Sequence, residues 1–306
     1  GSSAGAAAAA GEGRPAALSC GAWRPSCLDA AGQPPPLVVV CVKWGKRYEA
    51  AYVNRLYSGV RRWLPDPSLR FVCFTDDAAG LDDAVEARPL PGNLSLWWGK
   101  AYLFSEEAGL DGHRVLFLDL DQVIVGDLSD LAAYSGPFAV LATDGIACEL
   151  AGGGYNSSVM AWEASPVFRP IFARLSPAAL RFVHRFDHWL EMNVDGADLW
   201  QVLAPGRVVD YTTAFRGGVC LGSKEAEEDL AREGAFSQGS EHVEDGAQQA
   251  RALGASGEPP PGAAVVTFPR SPKPHEVVEQ HAWVRRHWIG DSEDSTALES
   301  VVGEKK

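Results

Sequence analysis

The sequence of 306 residues predicts an α/β fold with a mostly parallel central sheet flanked by helices. Continuous apolar runs of strand length lie at 37–42, 70–74 and 115–118, and helical periodicity separates the first two runs. Strands without polar alternation are typical of parallel sheets that are buried on both faces. Each run also ends on polar residues, so we expect a ligand site at the carboxyl edge of this sheet.

The helix after the first strand is predicted from one apolar face (Tyr52, Leu56, Val60 and Leu64), and Pro65 ends it. A weaker strand at 84–88 and a short helix at 97–106 precede the strand at 115–118. The remaining predicted elements are a short helix at 126–133, strands at 138–142, 207–211 and 264–268, a Gly-rich turn that leads into a strand at 152–162, helices at 166–175 and 177–192, a helix that begins at Asp195 or Asp198, and a last helix that contains Val277 and Trp283.

One domain is predicted at 37–290, with less ordered segments around and within it. Residues 1–36 are rich in Ala, Gly and Pro, and we expect an artificial or trimmed leader that is disordered or loosely attached. The stretch 221–262 holds nine acidic and three basic residues, a net charge of −6, and is predicted to be a mobile insertion. A polar tail is predicted at 291–306.

Composition excludes several classes of partner. The formal net charge of −13 argues against nucleic acid as the main partner. No apolar run approaches the ~20 residues of a membrane span, so none is expected. The six cysteines are scattered without a Cys-x-x-Cys pair, which argues against a zinc knuckle and favours a cytoplasmic or other reducing compartment.

The strand at 115–118 leads into Asp119-Leu120-Asp121, two carboxylates one residue apart. Burial of an unpaired carboxylate costs several kcal/mol, so the pair is expected at the open end of the strand. Because side chains alternate along a strand, both carboxylates point the same way. A hard divalent cation with phosphate oxygens on its far side would satisfy them. The alternative is a surface turn with two solvated acids.

Residues after the first two strands are candidates for contacts with a nucleotide. Lys43, Trp44 and Tyr48 follow the first strand, and we predict that they frame a base. Thr75, Asp76 and Asp77 follow the second strand, where either carboxylate could contact the base or the ribose.

Five segments resemble, in the same order, segments of the family 8 retaining glycosyltransferases, the group that includes glycogenin and the lipopolysaccharide galactosyltransferases. The resemblance runs from about Leu37 to Trp288. The segments are Trp98-Gly99-Lys100, Asp119-Leu120-Asp121, Asn156-Ser157-Ser158-Val159-Met160, Phe186-Asp187-His188-Trp189-Leu190 and Pro272-Lys273-Pro274.

This resemblance implies a single Rossmann-like domain of the GT-A type. It also implies the transfer of a hexose, with retention, from a UDP-sugar to a carbohydrate, lipid or protein acceptor. Asp119 and Asp121 would bind Mn²⁺ or Mg²⁺, and Lys100 and Lys273 would contact the donor diphosphate. Asn156 and Ser157 would line the donor sugar. Asp187, His188 and Lys100 are the catalytic candidates.

The chain departs from the family pattern at two positions. The third metal ligand of the family is a His six residues before the late Lys, and here that position holds Thr267. Either His275 supplies the imidazole or water completes the metal. His188 stands where the family has Gln, and of the two neighbours we favour Asp187 as the residue that faces the reacting carbon.

Two other functions are compatible with parts of the sequence. In a haloacid-dehalogenase-type phosphatase, Asp119 would be the nucleophile and Asp121 the general acid beside Mg²⁺. Gln122-Val123 does not match the residues usual after that motif, and residues 37–118 precede a segment that normally opens the phosphatase domain. A non-catalytic protein that binds nucleotide sugars is the other alternative.

Overall fold

The computed structural model describes residues 34–144, 146, 149, 152–216, 257–269 and 271–289, and the backbone of Leu18–Ser19. The predicted polar tail at 291–306 and most of the predicted insertion at 221–262 lie outside the described residues. Within the predicted leader, Leu18–Ser19 form a short strand that pairs with Val194–Asp195, so this part of the leader is attached to the domain.

The described strands are numbered β1 to β12 in chain order. They are β1 (Leu18–Ser19), β2 (Leu37–Lys43), β3 (Arg70–Thr75), β4 (Glu86–Pro89), β5 (Arg114–Leu118), β6 (Gln122–Ile124), β7 (Phe138–Ala142), β8 (Tyr155–Glu163), β9 (Val194–Asp195), β10 (Asp198–Leu199), β11 (Val208–Asp210) and β12 (Val265–Thr267).

The described α-helices are numbered in the same way. They are α1 (Ala50–Trp63), α2 (Gly99–Tyr102), α3 (Ser129–Ala132), α4 (Pro170–Ala173), α5 (Pro177–Phe182), α6 (Phe186–Asn193), α7 (Trp200–Leu203), α8 (Tyr211–Arg216), α9 (Pro274–Val277) and α10 (Ala282–Val284). Leu96–Trp98 and Pro166–Phe168 are 3₁₀ turns, and Arg285–Ile289 is a π-helical turn. Among the described residues, every helix is too short or too polar to cross a bilayer.

The central sheet has seven strands in the order β10-β7-β8-β5-β2-β3-β4. Four neighbouring pairs are parallel, β10 with β7, β5 with β2, β2 with β3, and β3 with β4. Only β8 runs antiparallel to its neighbours β5 and β7 within this described sheet. The mostly parallel sheet predicted from the continuous apolar strands is therefore confirmed.

Two hydrophobic cores cover the two faces of this sheet, as expected for strands that are apolar on both sides. Val39 of β2 packs in one core with Leu56 of α1, whereas the next residue, Val40, packs in the other core with Leu190 of α6. Because successive side chains of a strand point to opposite faces, one apolar run serves both cores. Helices thus lie on both faces of the sheet.

A smaller sheet, in the order β11-β12-β6, connects distant parts of the chain at the end of β5. Its strand β6 begins directly after Asp121, and the antiparallel pairing of β6 with β12 places Thr267 opposite Gln122. The chain that leaves β12 therefore passes close to Asp121.

The helices predicted at 97–106 and 177–192 are shorter than expected. The first is a 3₁₀ turn followed by the single turn of α2, which ends at Tyr102. The second is broken between α5 and α6, where Val183 is extended (φ −89°, ψ 117°). No residue of α5 is buried, whereas α6 buries Phe186 and Leu190 in the second core. The extended link lets α6 turn into the core independently of α5.

Close packing against the small sheet leads to a prediction about Gly126. A Cβ atom at Gly126 would lie 2.5 Å from the backbone oxygen of Ala263, whereas one at Gly92 would meet nothing within 4 Å. Gly126→Ala should lower the free energy of unfolding by about 1–3 kcal/mol because backbone must move. Gly92→Ala, the matched control, should change it by less than about 0.5 kcal/mol. Urea denaturation of both variants checks this, and equal stabilities would contradict it.

Candidate active site

One cavity of about 240 Å³ opens where β2 and β5 end. Nine of the residues predicted from the sequence line it together: Trp44, Tyr48, Lys100, Asp119, Asp121, Asn156, Ser157, Asp187 and Lys273. Ten further residues complete the lining: Val42, Arg47, Leu96, Trp97, Leu120, Glu149, Ser158, Arg185, Pro269 and Ser271.

Asp119 is held between α2 and the start of β8. Its Oδ2 lies 2.8 Å from Nζ of Lys100, which also donates to Oγ of Ser157 at 3.0 Å. The Asp119 amide donates to the carbonyl of Ser158 at 3.0 Å, because β8 runs antiparallel beside β5. Burial raises the pKa of Asp119 to about 6, with Lys100 opposing the rise and the charge of Asp121 adding to it.

Asp121 has a more favourable environment for its charge. Its Oδ2 lies 2.7 Å from Nζ of Lys273 and accepts a hydrogen bond of 2.8 Å from the Tyr48 hydroxyl. Lys273 also donates to the carbonyl of Phe268 at 2.7 Å, so its ammonium group is fixed by two partners. Burial acts to raise the pKa of Asp121, but the attraction of Lys273 and the two hydrogen bonds outweigh it and lower the pKa.

The segment that resembles the donor-sugar turn lies beside Asp119. Asn156 donates from Nδ2 to Oε1 of Glu149 at 3.2 Å and accepts the Ser158 amide at 3.1 Å. The Ser157 amide donates to Oδ1 of Asp187 at 2.8 Å, which ties the start of α6 to this turn. These bonds hold two polar side chains, Asn156 and Asp187, on one wall of the cavity.

The predicted residues after β3 do not line the cavity. Lys43 is buried and donates from Nζ to the carbonyl of Asp77 at 3.1 Å, and Thr75 donates from Oγ1 to the same carbonyl at 2.8 Å. The carboxylate of Asp76 accepts the Gly45 amide at 3.0 Å. These bonds join the end of β3 to the loop after β2. The side chains of Lys43, Thr75 and Asp76 and the backbone carbonyl of Asp77 therefore support the loop that carries Trp44 and Tyr48, and none of these four residues lines the cavity.

Neither predicted histidine lines the cavity. His188 is exposed on α6, because neighbouring residues of a helix point in different directions and Asp187 takes the inward one. Nδ1 of His275 is hydrogen bonded to the hydroxyl of Tyr52. Thr267, at the position of the family's third metal ligand, is 2% exposed and donates to the carbonyl of Val209.

Two carboxylates of the cavity fit a divalent cation. Asp119 and Asp121 point two carboxylates into one cavity. Magnesium is commonly bound by one or two carboxylates together with substrate phosphates and water, so this pair fits a hard cation. In the part of the chain that the structure describes, no group of three or more His, Cys, Asp or Glu side chains is arranged to hold a metal. Substrate oxygens and water would have to complete the coordination.

Sequence reasoning missed several lining residues. Trp97 lines the cavity together with Leu96, which is 44% exposed. Leu96 has a φ of 55°, a left-handed conformation that costs a non-glycine residue roughly 1–2 kcal/mol. Glu149 and Arg185 form an ion pair of 3.1 Å on the wall beside Asn156. Arg185 could have been predicted as a lining residue only from its position two residues before Asp187. Nothing in the sequence singled out Glu149.

The two aspartates should titrate separately in the metal-free protein. Carboxyl ¹³C spectra recorded with a chelator should give a midpoint near pH 6 for Asp119 and a midpoint below the usual value for Asp121.

An unfolded Asp ionises near pH ~3.9. The contribution of Asp119 to the unfolding free energy therefore falls as pH rises from about 4 to about 6 and stays low above that range. Asp119→Asn should remove this fall. A midpoint for Asp119 at the ordinary value would show that burial does not control its charge.

Comparison with solved structures identifies the fold. The glycosyltransferase GlyE of Streptococcus pneumoniae TIGR4 matches with a TM-score of 0.52 and 13% identity, over 87% of this chain and 62% of that chain. This chain thus spans less than two thirds of GlyE. The galactosyltransferase LgtC, solved with donor and acceptor sugar analogs, matches with a TM-score of 0.47 and 13% identity, over 78% of this chain and 88% of that chain. A glycosyltransferase involved in the glycosylation of the major capsid of PBCV-1 matches with a TM-score of 0.40 and 12% identity, over 66% of this chain and all of that chain.

No family model and no curated protein sequence matches the chain. At an identity of 13%, the similarity to GlyE shows the fold and not the activity. The chain has the GT-A fold of the family 8-like glycosyltransferases, which is the fold that the resemblance in sequence predicted.

Proposed function

We propose that this protein is a glycosyltransferase that moves a hexose from a UDP-sugar to a carbohydrate, lipid or protein acceptor with retention of configuration. One observation carries the proposal. Asp119 and Asp121, each paired with a lysine, lie in the same cavity as Asn156 on a GT-A fold. The similarity to GlyE supports the glycosyltransferase over the haloacid-dehalogenase-type phosphatase.

The chemistry requires positive charge at the leaving group. Cleavage of a sugar–phosphate bond builds negative charge on the diphosphate, and fixed cations in a partly dry site stabilise that charge strongly. Lys100 and Lys273 are 13% and 10% exposed, so both ammonium groups act in such a site. In the proposed reaction they bind diphosphate oxygens and stabilise the departing UDP.

The reacting sugar carbon gains oxocarbenium character in the transition state, which nearby carboxylates stabilise. Asp187 is the candidate for this role, because it lines the cavity and its Oδ1 is fixed by the Ser157 amide. Its other carboxylate oxygen is then oriented by the same hydrogen bond. Asn156 and Ser157 would contact hydroxyls of the transferred sugar.

Asp119 and Asp121 would hold Mn²⁺ or Mg²⁺ in the proposed donor complex. When bound, the cation would supply further positive charge beside the diphosphate. Tyr48 would keep Asp121 oriented, since burial and the neighbouring carboxylate raise the pKa of Tyr48 and keep its hydroxyl protonated as a donor.

Calorimetric titration with UDP tests the nucleotide and the metal together. Wild-type protein should bind UDP on the order of tenfold more tightly with Mn²⁺ than with a chelator, a difference of about 1.4 kcal/mol. Asp121→Asn should bring this ratio close to one, because it removes a carboxylate ligand. Asp83→Asn changes an exposed aspartate outside the cavity lining and is the matched control.

Several outcomes would contradict the proposal. They are no binding of UDP, a ratio that Asp121→Asn leaves unchanged, and metal-dependent release of phosphate from simple phosphoesters, which would favour the phosphatase. Tight UDP binding without donor hydrolysis or transfer to any acceptor would favour the non-catalytic alternative.

The incomplete donor set predicts how Mn²⁺ binds. With Asp119 and Asp121 as its two protein ligands, Mn²⁺ alone should bind weakly, and UDP should strengthen its binding by supplying phosphate oxygens. Electron paramagnetic resonance of free Mn²⁺ measures this without turnover. The signal should fall only slightly with protein alone and strongly after addition of UDP. Tight binding of Mn²⁺ without nucleotide would reveal a third protein ligand.

A further inference from the structure

Glu149 and Arg185 form an ion pair on the cavity wall next to Asn156 and Asp187. Oε2 of Glu149 lies 3.1 Å from Nη1 of Arg185, and the two side chains are 10% and 15% exposed. Oε1 of Glu149 accepts the Asn156 amide group at 3.2 Å. Both residues of the pair line the same cavity as the aspartates, so the pair faces whatever occupies the space beside Asn156.

The wall of the cavity beside Asn156 carries more acidic than basic side chains. Glu149 accepts a hydrogen bond from Asn156 and pairs with Arg185, and Asp187 accepts one from the Ser157 amide, so these three residues add two acids and one base. Lys100, which also bonds Ser157, is already paired with Asp119. Each carboxylate oxygen of Glu149 accepts one of the bonds above and has lone-pair capacity for another. Such a wall can accept hydrogen bonds from hydroxyl groups of a ligand, whereas it would repel a ligand that carries its own carboxylate.

We propose that Glu149, with Arg185 as its counter-ion, selects a neutral hexose over a uronic acid as the transferred sugar. The carboxylate of Glu149 accepts hydrogen bonds from hydroxyls of the sugar, and the excess negative charge of the wall excludes a sugar that carries its own carboxylate. This inference rests on the proposed function, because it assigns a sugar to the space beside Asn156.

Affinities for matched donors test the proposal without an acceptor. UDP-glucose and UDP-galactose are compared with UDP-glucuronic and UDP-galacturonic acid, which differ in bearing a carboxylate in place of the terminal hydroxymethyl group. Each dissociation constant is divided by that of UDP for the same variant, so that a general loss of nucleotide affinity in a variant does not affect the comparison. Wild type should favour the neutral member of at least one pair by roughly tenfold.

Two variants should shift this preference in opposite directions. Glu149→Gln removes one of the two acids of this wall and keeps Arg185, and it should reduce the preference for the neutral sugar by roughly tenfold. Arg185→Gln leaves two acids and should increase it. Loss of folding cannot produce opposite shifts. Glu279→Gln, which removes an exposed ion pair with Arg285, is the control and should keep the wild-type preference.

The outcomes separate this inference from the proposed function. If wild type does not bind UDP, the proposed function fails and this inference fails with it. If UDP binds but Glu149→Gln leaves the donor preference unchanged, the proposed function stands and this inference is wrong. A change that appears only in the KM for an acceptor would also overturn it, since the pair would then face the acceptor.

Discussion

The site depends on the neutralisation of two carboxylates, one residue apart, that line a single cavity. Asp119 and Asp121 follow a buried strand, and burial alone opposes the charge of both. Lys100 precedes the pair on α2, and Lys273 follows it by 152 residues. Two strand pairings bring these distant segments of the chain to the aspartates. The pairing of β6 with β12 delivers the segment of Lys273 to Asp121, and the pairing of β5 with β8 delivers Ser157 and Ser158 to Asp119.

The same arrangement makes the two carboxylates unequal. Asp119 has a pKa raised to about 6 because burial dominates its environment, whereas Lys273 and Tyr48 lower the pKa of Asp121. Neighbouring acids with different pKa values can hold different roles in one site. Asp121 stays ionised over a wider pH range than Asp119, as its proposed role as a metal ligand requires. Asp119 changes charge near neutral pH and is the weaker anion of the pair.

Sequence patterns predicted the residues that are fixed by regular structure. The position of Asp119 and Asp121 after a buried apolar strand predicted that they would lie at the site. The resemblance of five segments, in the same order, to the family 8 glycosyltransferases added Lys100 and Lys273 to that prediction. Asp76 and Asp77 also follow a strand but do not line the cavity, because the Asp76 carboxylate accepts the Gly45 amide and the Asp77 carboxylate accepts the Ala79 amide.

Residues in irregular segments could not be predicted from the sequence, because no period specifies the path of a loop. Glu149 lies between β7 and β8, and Leu96 has a left-handed conformation that nothing in the local sequence requires. The break between α5 and α6 places Arg185 on the cavity wall, whereas a continuous helix at 177–192 would have given no reason to single it out.

The charges of the cavity constrain how a donor can bind. Its lining holds four basic and four acidic side chains: Arg47, Lys100, Arg185, Lys273, Asp119, Asp121, Glu149 and Asp187. With these groups ionised the described lining is neutral, and Lys100, Lys273 and Arg185 already have acidic partners. In the proposed donor complex, a diphosphate that binds the two lysines would leave the two aspartates with less positive charge beside them. A divalent cation that enters with the nucleotide offsets both changes, because it attracts the aspartates and the phosphates together. Under the proposed function, the nucleotide would complete the metal site. This would account both for the lack of a third protein ligand among the described residues and for the two lysines.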